Sequence, residues 1–201
     1  MSVITISRQL GSLGDEVAHA VADKLDYQII GRDLINQAAV RANVPEVALA
    51  AIDDLGLLDL HPPPESIHAY QNSISEIMHE LAAVGNVVIV GRAGQVILRD
   101  NPQVLHVKVI APERMRFQRV AQQQNTTLEC AQAQVLTSDK TRKNYLNKYY
   151  QVRWDDPQLY DLIVNTARLQ PQQAACLICQ ALNNCIAADN SPNSSTEDSQ
   201  V

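Results

Sequence analysis

The stretch VITISRQLGSLGDEVAHAVADKL, residues 3–25, decides the fold of this chain. It begins with a β-branched run that favours a strand, passes through a turn that contains Gly11 and Gly14, and continues as an amphipathic helix. The inner face of that helix is expected to consist of Val17, Ala20, Val21, Ala22 and Leu25. A glycine-bearing turn between a strand and a helix directs backbone N–H groups and the positive end of the helix dipole at one point. The stretch therefore predicts a binding site for a phosphate group.

The turn lacks the charged residues of the common phosphate-binding pattern G-x-x-x-x-G-K-S/T. Laid over residues 8–15, that pattern meets Arg8 at the first glycine, Leu13 at the second, Gly14 at the lysine and Asp15 at the hydroxyl residue. The alternative is a plain strand-to-helix turn in which the glycines serve backbone geometry alone. The flanking strand and helix favour nucleotide binding.

Size and composition narrow the class of protein. A chain of 201 residues can bury one sizeable core and carry an inserted subdomain. An aromatic fraction of 4% argues against stacking platforms for single-stranded nucleic acid, and a net charge of −6 argues against nucleic-acid and anionic-membrane surfaces. We therefore expect neither nucleic acid nor a membrane as a partner.

No apolar run reaches the roughly 20 residues that cross a bilayer, and residues 1–6 do not resemble the start of a signal peptide. We therefore expect a cytoplasmic protein.

The cysteines include one C-x-x-C pair, Cys176 and Cys179, a spacing that metal and redox sites use. No second pair and no nearby histidine completes a ligand set, and the surrounding sequence predicts a helix. We expect the pair to pack in the core, because free cysteines are often buried. The five histidines form no ligand pattern and are interpreted as structural.

Short apolar runs alternate with helical patterns along the rest of the chain. After the first strand, strands are expected at 27–30, 86–90, 104–111 and 159–166, and helices at 33–41, 46–52, 66–84, from 112 and at 171–187. Continuous apolar strands are typical of parallel sheets that helices cover on both faces. The polar segment 188–201 is expected to be disordered.

Arginines follow several of the expected strands. Arg8, Arg32 and Arg92 each stand just beyond or at a strand's carboxyl end, where ligands bind in such sheets. The planar guanidinium group suits phosphate oxygens. The pattern therefore favours a phosphate-bearing ligand.

Taken together, these segments resemble the cytidylate kinase-like family of nucleoside monophosphate kinases. The matching segments occur in the right order up to about Ala187; they are ITISRQLGSLGDEVA, DYQIIGRDLI, VVIVGRAGQVIL, VKVIAPERMRFQRV, SDKTRKNYLNKYY and YDLIVNT. The resemblance implies a three-layer α/β kinase fold with a five-stranded parallel sheet. It also implies one domain over 1–187, with a core at 1–30 and 86–187, a helical acceptor-binding insertion at about 31–85 and a lid at about 124–155. Because family members usually close as single chains, a monomer is expected.

The resemblance also implies roles for individual residues. The ATP phosphates would lie on Arg8, Gly11, Ser12, Leu13, Gly14, Asp15 and Glu16. The acceptor nucleotide would bind Arg32, Asp33 and Arg92. Arg142 and Lys140 of the lid would join Arg92 in catalysis, with Asp139 and Lys143 beside them. Ser12 and Asp15 are the candidate ligands for Mg²⁺. Trp154 is expected to pack against the hinge of the lid.

The chain departs from the typical cytidylate kinase at three positions. Gly14 stands in place of the loop lysine, Val90 in place of an acidic residue, and Ala93 in place of an aspartate that helps hold the nucleotide. Our hypothesis is that Arg8 supplies the missing cation.

The interpretation favours an enzyme that transfers a phosphoryl group from ATP to CMP or dCMP. A nucleotide-binding sensor with little activity, and a small-molecule kinase with another acceptor, remain the alternatives. By itself, the basic run from Lys140 to Lys143 would be a solvated helix face. In the lid it would have a function, because a protein that only binds gains little from cations that act in the transition state.

Overall fold

The computed structural model describes residues 2–31, 40–41 and 64–189. Five strands in this part of the chain form one parallel sheet in the order β2-β3-β1-β4-β5. Their bounds are β1 Val3–Arg8, β2 Gln28–Ile30, β3 Val87–Val90, β4 Val104–Ile110 and β5 Leu162–Asn165. The expected five-stranded parallel sheet is confirmed, with β1 at its centre.

Helices connect the strands and cover both faces of the sheet. They are α1 Gly14–Leu25, α2 Pro64–Val84, α3 Gly94–Ile97, α4 Glu113–Gln124, α5 Leu128–Tyr150 and α6 Pro171–Asp189. A short 3₁₀ helix, Pro157–Leu159, precedes β5, so that strand is shorter than the sequence predicts.

The alternation of side chains along β1 divides the core into two layers. Ile4 and Ile6 face α1 and α6, where they join a cluster that contains Val17, Val21 and Ile178. Val3 faces the opposite side, in a cluster built largely from α2. Because both faces of the strand are buried, its sequence is continuously apolar or small rather than alternating.

The exposure of the cysteines corrects one expectation. Cys176 is exposed and Cys179 is half-buried, so they do not pack in the core as a pair. The helix itself is present, but its buried face carries Ala174, Ile178 and Leu182. A turn of 100° per residue puts Cys176 on the far side from these positions.

Several expectations fall outside the described residues. They are the helix at 46–52, Arg32, Asp33, most of the insertion at about 31–85, and the tail beyond residue 189. Of the helix expected at 33–41, only residues 40 and 41 are described, and both are helical. None of the described helices is long and apolar enough to cross a membrane.

Candidate active site

The turn between β1 and α1 has the geometry of an anion-binding loop. Gly11 has a φ of +77°, and Leu13 adopts a left-handed conformation with a φ of 61° immediately before α1 begins. The amides of Gly14, Asp15 and Glu16 lie in the first helical turn, where no carbonyl of the same helix can accept from them. These groups and the positive helix end together favour a phosphate.

The loop is held from beneath by residues that the sequence analysis did not assign to the site. The Arg119 guanidinium donates to the carbonyl oxygens of Gly11 (3.3 Å) and Thr166 (2.8 Å), and the Thr166 hydroxyl donates to the carbonyl oxygen of Ser12 at 2.7 Å. A side chain at position 11 would lie 2.7 Å from the carbonyl oxygen of Arg116, so only glycine fits there. The loop is therefore fixed before any ligand binds.

Arg8 lies across the mouth of this loop. A Cβ atom at Gly14 would stand 2.3 Å from the Arg8 Cβ, and a Cβ at Gly91 would stand 2.7 Å from its Nη1. The Arg8 Nε donates to the Asp15 carboxylate at 3.0 Å, and the side chain remains 26% exposed. The arginine thus runs from the end of β1 over the position of the missing lysine toward the end of β3.

Two candidate Mg²⁺ ligands have different surroundings. The Ser12 side chain is fully buried, and its Oγ has no hydrogen-bond partner among the described residues. The Asp15 carboxylate is 67% exposed and already pairs with Arg8. Across residues 2–31, 40–41 and 64–189, no three His, Cys, Asp or Glu side chains are grouped to hold a metal. This donor set fits an ion held mainly by substrate phosphates, with Asp15 as the accessible carboxylate.

Arg92 lies in an unusual turn after β3. Gly91, Arg92 and Ala93 all have positive φ, at 81°, 56° and 59°. A left-handed conformation costs a non-glycine residue about 1–3 kcal/mol, and such strain concentrates at functional sites. Burial raises the pKa of the Tyr145 hydroxyl, while the nearby Arg92 cation opposes the rise. Arg92 therefore lies beside the part of α5 that carries Tyr145.

Arg142 projects from α5 toward the same region. Its guanidinium donates to the Ser138 hydroxyl one turn earlier, and its Cζ lies 5.9 Å from the centre of the Trp154 ring. Burial, followed by the charge of Arg8, lowers the pKa of Arg142 to about 10 from its usual 12.5. The group remains a cation at neutral pH, close enough to Arg8 for the two charges to repel.

The other predicted residues of α5 have different environments. Asp139 accepts two hydrogen bonds from the Arg116 guanidinium, at 3.1 and 2.9 Å, and the Arg116 side chain is 1% exposed. This ion pair fastens α5 to α4. Lys140 is exposed, and the exposed Lys143 lies 3.8 Å from Asp155. The structure thus brings Arg8 and Arg142 together and puts Lys140 and Lys143 on the surface.

A buried lysine that the sequence did not point to lies near the same Trp154 ring as Arg142. Lys108, in β4, is 6% exposed and contacts Trp154 and Tyr160. The signal for it is a lysine inside the strand VLHVKVI, whose other residues are apolar apart from His106. Trp154 packs with Ala93 and Leu146.

Comparison with known proteins identifies the family. The model of the cytidylate kinase-like family matches residues 3–168. The chain belongs to this family. Cytidylate kinases from Halobacterium salinarum and Pyrococcus horikoshii are 25% and 26% identical to this chain over 183 residues. Those alignments cover 90% of this chain and 89% and 88% of the two relatives.

Solved structures support the same fold for this cytidylate kinase-like protein. An uncharacterized protein from Eubacterium ventriosum gives a TM-score of 0.72 at 20% identity, over 91% of this chain and 99% of that one. A gluconokinase from Sinorhizobium meliloti gives 0.58 at 14% identity, over 94% and 98%. The expected three-layer kinase fold is confirmed, and family and fold together support a nucleotide kinase activity.

Proposed function

We propose that this protein transfers the γ-phosphoryl group of ATP to a nucleoside monophosphate, with CMP or dCMP as the acceptor. The observation that carries the proposal is the approach of Arg8 and Arg142 to each other at the mouth of the loop between β1 and α1. The carboxylates of Asp15 and Asp139 offset part of the repulsion between these two cations, and a ligand of strongly negative charge at the loop would be attracted by both. Phosphoryl transfer requires mainly positioning and positive charge around the γ-phosphate, which is what this arrangement offers.

The reaction needs no nucleophile from the protein. An oxygen of the acceptor's own phosphate forms a bond to the γ-phosphorus of ATP while the bond to the β–γ bridging oxygen breaks, which gives ADP and a nucleoside diphosphate. The loop amides and Arg8 would hold the donor phosphates. Arg92 would hold the acceptor's phosphate, and Arg142 would stabilise charge on the group in transit.

A divalent cation completes the proposal. When bound, Mg²⁺ would neutralise part of the negative charge of the substrate phosphates. Asp15 would hold the ion or its water shell from the loop, and the Ser12 hydroxyl, which is buried in this structure, would be the second candidate oxygen donor. This assignment follows from the donor chemistry of the two side chains.

The choice of CMP or dCMP as the acceptor rests on sequence similarity to cytidylate kinases. The relatives named cytidylate kinase share about a quarter of their residues with this chain. Ala93, which stands where the typical cytidylate kinase carries an aspartate, is buried against Trp154 and offers no polar group to a base. Arg32 and Asp33, the other proposed acceptor contacts, lie outside the described residues.

The proposal treats residues 1–187 as one kinase domain that acts as a monomer, with 31–85 as the acceptor insertion and 124–155 as the lid. Asp139 would keep the lid attached to α4 through Arg116. Lys140 and Lys143 are exposed on α5 and would meet phosphates only in a closed complex.

A coupled assay of ADP release tests the proposal. ATP and Mg²⁺ are supplied with CMP, dCMP, UMP, AMP or GMP, and Arg142→Ala is compared with Lys148→Ala, an exposed substitution on the same helix. We expect turnover of CMP or dCMP that falls to a small, measurable residual rate in Arg142→Ala and is retained in Lys148→Ala. ATP binding without turnover of any acceptor would contradict the kinase and favour the sensor. Turnover of a different nucleotide would correct the acceptor alone.

A further inference from the structure

A buried lysine, Lys108, contacts the same tryptophan ring as the proposed catalytic arginine. The Lys108 ammonium donates to the carbonyl oxygen of Trp154 at 2.5 Å. It also lies 4.6 Å from the centre of the Trp154 ring and 4.9 Å from the centre of the Tyr160 ring. A cation within about 6 Å of an aromatic centre is attracted to the ring. Lys108 therefore binds both the backbone and the ring of Trp154.

Further hydrogen bonds fix Trp154 relative to the sheet. Its indole Nε1 donates to the Ser7 hydroxyl at 2.9 Å, and the Tyr160 hydroxyl donates to its carbonyl oxygen at 2.9 Å. The side chain is 3% exposed. Ser7 directly precedes Arg8 at the end of β1. The indole is therefore held at a defined place beside the phosphate loop.

Arg142 contacts this same ring, with its Cζ 5.9 Å from the centre. Its hydrogen bond to Ser138 lies within α5 and so cannot fix the guanidinium relative to the sheet. The Trp154 ring, in contrast, is attached to β1 and β4 through Ser7 and Lys108. The ring thus connects Arg142 to the rigid part of the site.

We propose that Trp154 is a positioning residue for phosphoryl transfer, which holds the guanidinium of Arg142 in place and is itself held by Lys108. The inference rests on the proposed function, in which Arg142 meets the transferring group. A displacement of about 1 Å in a catalytic group can lower the rate about 100-fold. Loss of the Trp154 ring should therefore lower kcat and leave the KM for ATP little changed.

A kinetic double-mutant cycle separates positioning from a purely structural role. Trp154→Leu removes the aromatic face, Trp154→Phe retains one, and each is made in the wild-type and in the Arg142→Ala chain. We expect Trp154→Leu to lower kcat about 10- to 100-fold and Trp154→Phe to recover most of that loss. In the Arg142→Ala chain, Trp154→Leu should have no further effect, because residues that act through one another are not additive.

Leu182→Ala provides a control for general destabilisation, since Leu182 is also 3% exposed but lies on α6, on the other face of the sheet. Its kcat per folded molecule should match the wild type. An equal fold-loss from Trp154→Leu in both backgrounds would overturn the proposal, as would a kcat unchanged by that substitution in correctly folded protein.

Fluorescence gives a readout that needs no activity. Trp154 is the only tryptophan in the chain, so tryptophan emission reports on the surroundings of this one ring. We expect Arg142→Ala and Lys108→Met each to change the emission, and the exposed Lys148→Ala to leave it unchanged. If no acceptor is turned over but the emission responds, the proposed function fails while the contact of Trp154 with Arg142 stands. Unchanged emission in Arg142→Ala would refute the contact itself.

Discussion

Gly14 and Arg8 form a steric pair that can be tested by a single methyl group. A Cβ atom at position 14 would lie 2.3 Å from the Arg8 Cβ, 2.7 Å from its Cγ and 3.2 Å from the Ser12 hydroxyl oxygen. The Arg8 Cβ cannot rotate away, because it is attached directly to the backbone at the end of β1. Gly14→Ala must therefore shift either the loop or the strand end.

The magnitude follows from two opposing effects. Overpacking a site that cannot relax costs about 1–3 kcal/mol. Alanine in place of glycine in a helix returns about 0.5–1 kcal/mol. The midpoints of these two ranges differ by about 1 kcal/mol, and we expect Gly14→Ala to lower the free energy of unfolding by that amount, within about 0.5–2 kcal/mol. For a chain of this length, that corresponds to a Tm lower by roughly 1–8 °C.

Equilibrium unfolding in urea measures the effect. Gly31→Ala is the matched control, because a Cβ there meets no atom of the described residues within 4 Å, and the free energy of unfolding should change by less than about 0.5 kcal/mol. Arg8→Gly should suppress the cost of Gly14→Ala, since it removes both crowded carbons. The coupling between the two sites should lie within the usual range of about 0.5–3 kcal/mol for residues in contact.

Two results would refute this reasoning. One is a Gly14→Ala protein as stable as the wild type, and the other is the same cost with and without Arg8. The pair also has a functional test. Arg8→Gly combined with Gly14→Lys restores the lysine of the common phosphate loop, and should bind ATP more tightly than Arg8→Gly alone. Equal binding by the two variants would count against Arg8 as the substitute cation.

The remaining predictions concern stability and pH. Asp139→Ala leaves Arg116 buried without its partner, so the free energy of unfolding in urea should fall by about 3–5 kcal/mol; a loss below about 1 kcal/mol would show the pair to be unimportant. Burial lowers the pKa of Lys108 to about 8 in the folded chain, from 10.5. Between pH 8 and 10.5 the unfolded chain therefore binds more protons than the folded chain, and the free energy of unfolding should rise with pH. This rise should be absent in Lys108→Met, and an identical pH profile in both proteins would contradict it. Thr166→Val removes the hydroxyl that donates to the Ser12 carbonyl, so it should lower the free energy of unfolding by about 1–3 kcal/mol and weaken ADP binding measured by calorimetry. Unchanged ADP binding would show that this hydrogen bond is not needed for the loop to bind a nucleotide.

Local sequence patterns were sufficient for the architecture. The apolar runs around Val3, Val87 and Val104 predicted buried parallel strands, and each is a strand of the sheet. The turn from Arg8 to Gly14 was predicted as a phosphate loop, and its left-handed residues give it that geometry. These features depend on residues a few positions apart, whose periodicity and turn preferences are written in the sequence itself.

Contacts between side chains that are distant in the sequence could not be predicted from local patterns. The sequence grouped Asp139 with the lid cations, whereas the folded chain pairs it with Arg116, 23 residues earlier. Trp154 reaches Ser7 over a separation of 147 residues. The sequence also predicted buried cysteines, since a helical pattern gives the period but does not by itself fix which side faces the core.

What the sequence by itself determined is therefore the order of strands and helices along the chain, the glycine-bearing turn between β1 and α1, and the family, because each is encoded by local pattern. Only the tertiary structure decided that Arg8 crosses Gly14 and that Lys108 and Arg142 both lie near the ring of Trp154. The physical reason is that such contacts depend on how α5 and the segment after it dock against the sheet. That docking is fixed by the packing of the whole core, and no short stretch of sequence contains it.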